Sequence, residues 1–159
     1  MLRGDTLARE ETPEALEGLS WASWWLSDAP ATFDSRERAY RLYRARDDRR
    51  GAARLALWIA SDYVDFRGEL AIANGWRQRA RRLLEGLDPV PEHGWLALHE
   101  GAIALELNED PVAGKRLGRE VAEFGRRLGV IDLEMLDLAM EGLALVSEGQ
   151  VDEGMRCLD

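Results

Sequence analysis

Few side chains in this sequence stand at the spacings that chemistry needs. Gly114-Lys115 has the glycine–lysine pair of a phosphate loop, but it lacks the upstream glycine and the following serine or threonine, and it falls inside a helical pattern. His99-Glu100 opens like a zinc-binding helix, yet no histidine follows at the required spacing, and His93 falls on a different helix face. Both histidines read as structural or loop residues. Cys157, the single cysteine, has only Arg156 beside it to lower its pKa, so it reads as a small core residue rather than a nucleophile. Six tryptophans, Trp21, Trp24, Trp25, Trp58, Trp76 and Trp95, offer aromatic surface for a ligand or for a core. Trp76 is assigned to the core. Trp24 and Trp25 are adjacent and cannot share a helix face, so one of them packs between helices or stays partly exposed. No catalytic, cofactor or metal set emerges, and the expectation is a chain that binds rather than catalyses.

The elements that position these residues show a period. Arg36-Glu37-Arg38-Ala39-Tyr40-Arg41-Leu42 recurs 41 positions on as Arg77-Gln78-Arg79-Ala80-Arg81-Arg82-Leu83. The stripe Ile72, Trp76, Ala80, Leu83, Leu87 recurs as Ala113, Leu117, Val121, Phe124, Leu128, every member displaced by 41. Such spacings lay one narrow apolar line along a helix, the second of a helical hairpin. Ala60, Gly101 and Gly142 also lie 41 apart, each inside a broadly apolar segment. A helix apolar over so wide an arc must be covered on two sides, as the first helix of a stacked hairpin is. Trp21-Ala22-Ser23 matches Ile59-Ala60-Ser61 at a spacing of 38, which predicts an inter-helix turn about three residues shorter in the first copy. Thr12-Pro13-Glu14 and Asp110-Pro111 read as helix starts, and Gly86, Gly129 and Gly149 as helix ends. The predicted helices span residues 13–28, 32–47, 51–66, 69–86, 92–108, 111–128, 131–148 and 151 onward.

In this architecture the first helices line the concave surface. Ser23, Trp58, Asp62, Asp65, His99 and Glu106 are therefore the candidate partner contacts. The positions three residues before each central small residue, Leu19, Leu57, Leu98 and Ala139, are expected to face the groove. They include no lysine or asparagine to grip a peptide carboxylate.

Composition bounds the rest. The 159 residues suffice for one domain with its own core, and 46% apolar with 32% charged residues fits a folded chain rather than a disordered one. No apolar run approaches the roughly 20 residues of a membrane span, and residues 1–11 have no apolar segment of a secretory signal, so a cytoplasmic location away from membranes is expected. A formal charge of −9 argues against direct nucleic-acid binding by this segment. The charge is uneven: residues 36–54 carry a local +5, read as a solvated helix face with an anionic partner as the alternative, and residues 131–159 carry a local −7.

With Trp21-Ala22-Ser23-Trp24-Trp25-Leu26, Glu37-Arg38-Ala39-Tyr40-Arg41-Leu42-Tyr43, Gly94-Trp95-Leu96-Ala97-Leu98-His99-Glu100-Gly101 and Glu141-Gly142-Leu143-Ala144-Leu145-Val146 on long-period hairpins, the chain resembles the TPR-like region of bacterial LuxR-type transcriptional regulators. That group carries a helix-turn-helix and includes MalT-like members. The resemblance covers essentially the whole chain. It implies an all-α, TPR-like α-α superhelix, a solenoid of antiparallel helical hairpins, forming a single domain over residues 1–159. The last of its roughly four hairpins is expected to be truncated and the chain to be a fragment of a larger protein. The implied role is effector sensing, self-association or partner contact, with no catalytic residue and no cofactor. Implied partners are a protein or peptide, other parts of the parent chain, a small-molecule effector, or a second copy in a homodimer. DNA would be read by a separate helix-turn-helix, not by this segment. The alternative is a stand-alone TPR adaptor that binds a peptide or protein.

Overall fold

The computed structural model describes residues 11–106 and 110–158. Among the described residues eight α-helices follow one another: α1 (Pro13–Trp25), α2 (Ala29–Ala45), α3 (Arg49–Arg67), α4 (Leu70–Leu84), α5 (Pro91–Glu106), α6 (Pro111–Leu128), α7 (Ile131–Ser147) and α8 (Val151–Leu158). The described residues contain no strand. They also contain no helix long and apolar enough to cross a membrane. α2, α4 and α6 begin at residues 29, 70 and 111, which is the 41-residue interval read from the sequence.

Local chemistry explains where the helices start and stop. Thr12, Asp28, Asp48 and Asp110 each accept a hydrogen bond from the backbone N–H three residues on, which satisfies an otherwise orphaned donor of the first turn. Prolines sit in the first turns of α1, α2 and α6, where a missing N–H costs nothing. At the C-terminus of α3, Gly68 turns left-handed (φ 64°) while its N–H and that of Glu69 close onto Val64 and Tyr63. The predicted ends at Gly86, Gly129 and Gly149 are left-handed as well.

The short links bring consecutive helices side by side. In addition α3 packs on α5, and α5 on α7. The shortening expected in the first inter-helix turn lies elsewhere: residues 26–28 link α1 to α2 and only residues 68–69 link α3 to α4. The missing length is in α1 itself, 13 residues against 19 in α3.

The main core gathers Leu16, Ala39, Tyr43, Leu55, Leu57, Ala80, Leu83 and Leu84, with Leu96 closing it from α5. On α4 the buried line is rotated from the expected stripe. Ile72 is exposed and Trp76 only half-buried, whereas Ala73, Arg77, Ala80 and Leu84 face inward. The half-buried Trp76 ring packs edge-to-face on Tyr40 (5.1 Å between rings), with the Arg79 guanidinium over its face. On α6 the inward side is made of small residues, Gly114, Gly118, Val121, Ala122 and Gly125, and Phe124 is only half-buried. A β-carbon at Gly125 would stand 2.5 Å from the backbone nitrogen of Glu134, so α6 meets the start of α7 backbone to backbone. Gly154 of α8 meets Gly142 of α7 in the same way, and a β-carbon there would stand 2.6 Å from the Gly142 carbonyl oxygen. Leu143, Met155 and Leu158 remain exposed.

Candidate binding cleft

Side-chain pairs fix how the odd-numbered helices lie. Glu17 meets Arg54 and Trp21 meets Trp58, so α1 and α3 run parallel; Arg54 meets Glu92 and Trp58 meets Trp95, so α3 and α5 do too. The tryptophans form a row along this surface: Trp21 to Trp58 at 4.9 Å between rings, Trp58 to Trp95 at 5.8 Å, and Trp58 to the His99 ring at 6.1 Å. Edge and tilted contacts of this kind are the favoured aromatic geometry. Trp24 continues the row toward Trp25, which is 76% exposed.

Beneath the row Arg54 of α3 joins three helices. Its Nε and Nη2 donate to the two carboxylate oxygens of Glu17 at 2.7 and 2.9 Å, while Nη1 reaches Glu92 at 3.2 Å. Tyr43 donates its hydroxyl to Glu17 at 2.9 Å, and burial, with that hydrogen bond, pushes its pKa up to about 12. The Glu17 fork holds Arg54 more firmly protonated than usual.

A second arginine is buried outright. Arg36, read from the sequence as part of a solvated basic face, is 1% exposed. Its Nη1 donates to Asp62 Oδ1 at 2.7 Å and to the Trp58 carbonyl at 3.0 Å, its Nε to Ser20 Oγ at 3.3 Å, and its guanidinium lies over Trp21 at 4.7 Å. Burial lowers the Arg36 pKa and raises that of Asp62 to about 6, outweighing their mutual attraction in both cases. Arg36 Nη2 and Asp62 Oδ2 have no partner among the described residues.

Next to this pair, α3, α4 and α5 enclose an open cleft of about 280 Å³. Val64, Leu70, Leu98, Ala102 and Ile103 give it apolar walls, and Trp58 contributes an indole. Its polar groups are Ser61, Asp65, Arg77 and His99. Burial, then the nearby positive charge of Arg77, lowers His99 to about 4, so the ring is neutral at neutral pH. Burial also lowers Arg77 and raises Asp65.

Of the six candidate contacts, the cleft brings together Trp58, Asp65 and His99. Two others need correcting. Asp62 is 0% exposed because it neutralises Arg36, and Ser23 is buried on the inner side of α1, so neither presents a side chain to a partner. The Glu106 side chain lies outside the described residues. Leu57, expected in the groove, is 1% exposed, and its neighbour Trp58 takes the groove position instead. His93 is structural: its Nδ1 accepts from the Val90 N–H at 3.2 Å and its ring stacks on Phe124. Lys115 pairs with Glu148 at 2.8 Å, tying α6 to the end of α7. Among the described residues no group of three or more His, Cys, Asp or Glu is placed to hold a metal ion.

Two features of the site escaped sequence reasoning. The tryptophan row had a signal, because Trp21, Trp58 and Trp95 are spaced by 37 and 37. Arg77 had none, since it lies in a run of arginines that otherwise face water. No family model, curated protein or solved structure matches the chain.

Proposed function

We propose that this chain is the partner- or effector-binding segment of a bacterial LuxR-type transcriptional regulator, built as a TPR-like α-α superhelix that recognises what it binds and does not transform it. The observation that supports this reading is the parallel alignment of α1, α3 and α5, which sets Trp21, Trp58 and Trp95 in one row, with Trp58 and His99 lining a cleft. Stacked parallel helices of this kind create extended concave surfaces suited to binding. DNA recognition belongs to a helix-turn-helix elsewhere in the parent. The exposed Leu143, Met155 and Leu158 offer a second contact surface, for the rest of the parent or for another copy.

The native reading frame tests the assignment. A frame of several hundred residues that ends in a helix-turn-helix is the expected result. A stop shortly after α8 overturns the regulator reading in favour of a stand-alone adaptor. In the intact protein, Trp58→Ala should alter the response of a reporter promoter when compared at equal amounts of folded protein.

A further inference from the structure

Arg77 is 7% exposed, yet its surroundings do little to account for a positive charge there. Its one hydrogen bond among the described residues runs from Nη2 to Oδ1 of Asn74 at 2.6 Å, one turn earlier on the same helix. No described carboxylate pairs with it; Glu100, whose charge it senses, is taken up by Arg81. A guanidinium has five N–H donors and does not shed its proton, so a buried one calls for an anion. Arg77 lines the cleft, and its other donors are not among the sealed-off polar atoms, so they stay open to water or to a ligand. At about 280 Å³ the cleft lies near the lower end of small-molecule sites, which run from roughly 300 Å³.

We propose that this cleft binds a small carboxylic acid with an apolar body. Its carboxylate sits on the Arg77 guanidinium, and its hydrocarbon lies along Val64, Leu98 and Ile103 against the Trp58 indole. The inference rests on the effector-sensing reading above and names the class of effector. A monoanion fits better than a phosphate for two reasons. With His99 neutral, Arg77 is the only positive charge among the described residues lining the cleft, and Asp65, across from it on α3, would repel a dianion more strongly than a monoanion. The planar guanidinium fork also matches a carboxylate with two parallel hydrogen bonds. The apolar body follows from the walls, five of whose side chains are aliphatic.

Octanoate, octanamide and octyl phosphate, titrated separately into the 159-residue chain, test the proposal by calorimetry and by the fluorescence of the tryptophan row. Octanoate should bind on the order of tenfold to a hundredfold tighter than octanamide, the range expected of a charge-assisted hydrogen bond, and tighter than octyl phosphate. Arg77→Gln should abolish the preference for octanoate over octanamide. The wild-type comparison stands even if that variant fails to fold. Equal binding of octanoate and octanamide, or tighter binding of octyl phosphate, overturns the carboxylate assignment while leaving a ligand-binding cleft and the sensing role intact. No binding of any of the three up to millimolar concentration overturns the proposal altogether, and the reading frame then judges the sensing role separately.

Discussion

Asp62→Ala isolates the buried charge of Arg36. Both side chains are essentially inaccessible, 0% and 1% exposed, and the pair meets at 2.7 Å. Removing one partner of a buried pair leaves the other charge uncompensated, at a cost of about 3–5 kcal/mol. Arg36 keeps its bonds to Ser20 Oγ and to the Trp58 carbonyl, and it keeps the face of Trp21. These contacts solvate the guanidinium without neutralising it, so the lower end, about 3 kcal/mol, is expected. Urea denaturation followed by far-ultraviolet circular dichroism reads the change. At an m-value of about 2 kcal/mol/M, the midpoint should fall by roughly 1.5 M. The double variant Arg36→Met/Asp62→Leu should return to within about 1 kcal/mol of the wild type, because burial outweighs attraction on both partners and an apolar pair escapes that desolvation. A midpoint shift under 0.5 M for Asp62→Ala, or a double variant as unstable as the single one, would refute this account of the pair.

Three further outcomes follow from the packing and the charges. His99 titrates near 4 in the folded chain against an ordinary 6.5, so the unfolded chain takes up a proton between those values and the folded chain does not. The histidine's contribution to stability is thus lost as pH falls from 6.5 to 4. His99→Gln should gain stability relative to the wild type over that window and match it above, whereas parallel pH profiles would contradict the assignment. Asp62 acts in the opposite sense: its folded value of about 6 against 3.8 removes stability as pH rises between the two, so the wild-type profile there should be flatter than that of either variant. Gly125→Ala should cost about 1–3 kcal/mol, because its methyl would press on the backbone of Glu134, and a denaturation midpoint equal to the wild type's would show that α6 and α7 can separate freely. Phe124→Ala should cost only about 1–2 kcal/mol, less than the 3–5 of a fully buried aromatic, since the ring is half-buried against His93 and a loss of 4 kcal/mol or more would place it in the core after all.

Helix existence was legible wherever backbone constraints announce themselves. Thr12-Pro13 and Asp110-Pro111 marked starts, and Gly86, Gly129 and Gly149 marked left-handed ends. The turns before α2 and α3 were placed a few residues late for a physical reason. Their left-handed positions are held by Ser27 and Asp47, both at φ 56°, so the glycine that normally signals such a turn is missing. The position after each, Asp28 and Asp48, then caps the next helix through its own carboxylate. Within helices, apolar periodicity fixed the general orientation but not the last 100° of rotation. On α4 it favoured Ile72 and Trp76 over Ala73 and Arg77, because a stripe count weighs hydrophobicity and cannot see that a neighbouring helix provides a carbonyl, a carboxylate or a cleft for an arginine. The same blindness hid Arg36 and Asp62, which look like surface charges until α2 and α3 are laid together. Trp58, Asp65 and His99 were legible as one surface only because all three lie on first helices.

Arg54 bears on how far a disturbance travels. In a linear stack of helices each layer senses only its immediate neighbours, and loosening one end need not be felt two layers away. A single guanidinium that grips Glu17 on one side and Glu92 on the other removes that independence. When α1 frays and Glu17 withdraws, the orientation of Arg54 is no longer set by a two-point fork, and Glu92 on α5 is left to depend more on Arg50. Loosening of α1 is therefore expected to reach α5 through Arg54, and hydrogen exchange in the two helices should rise together.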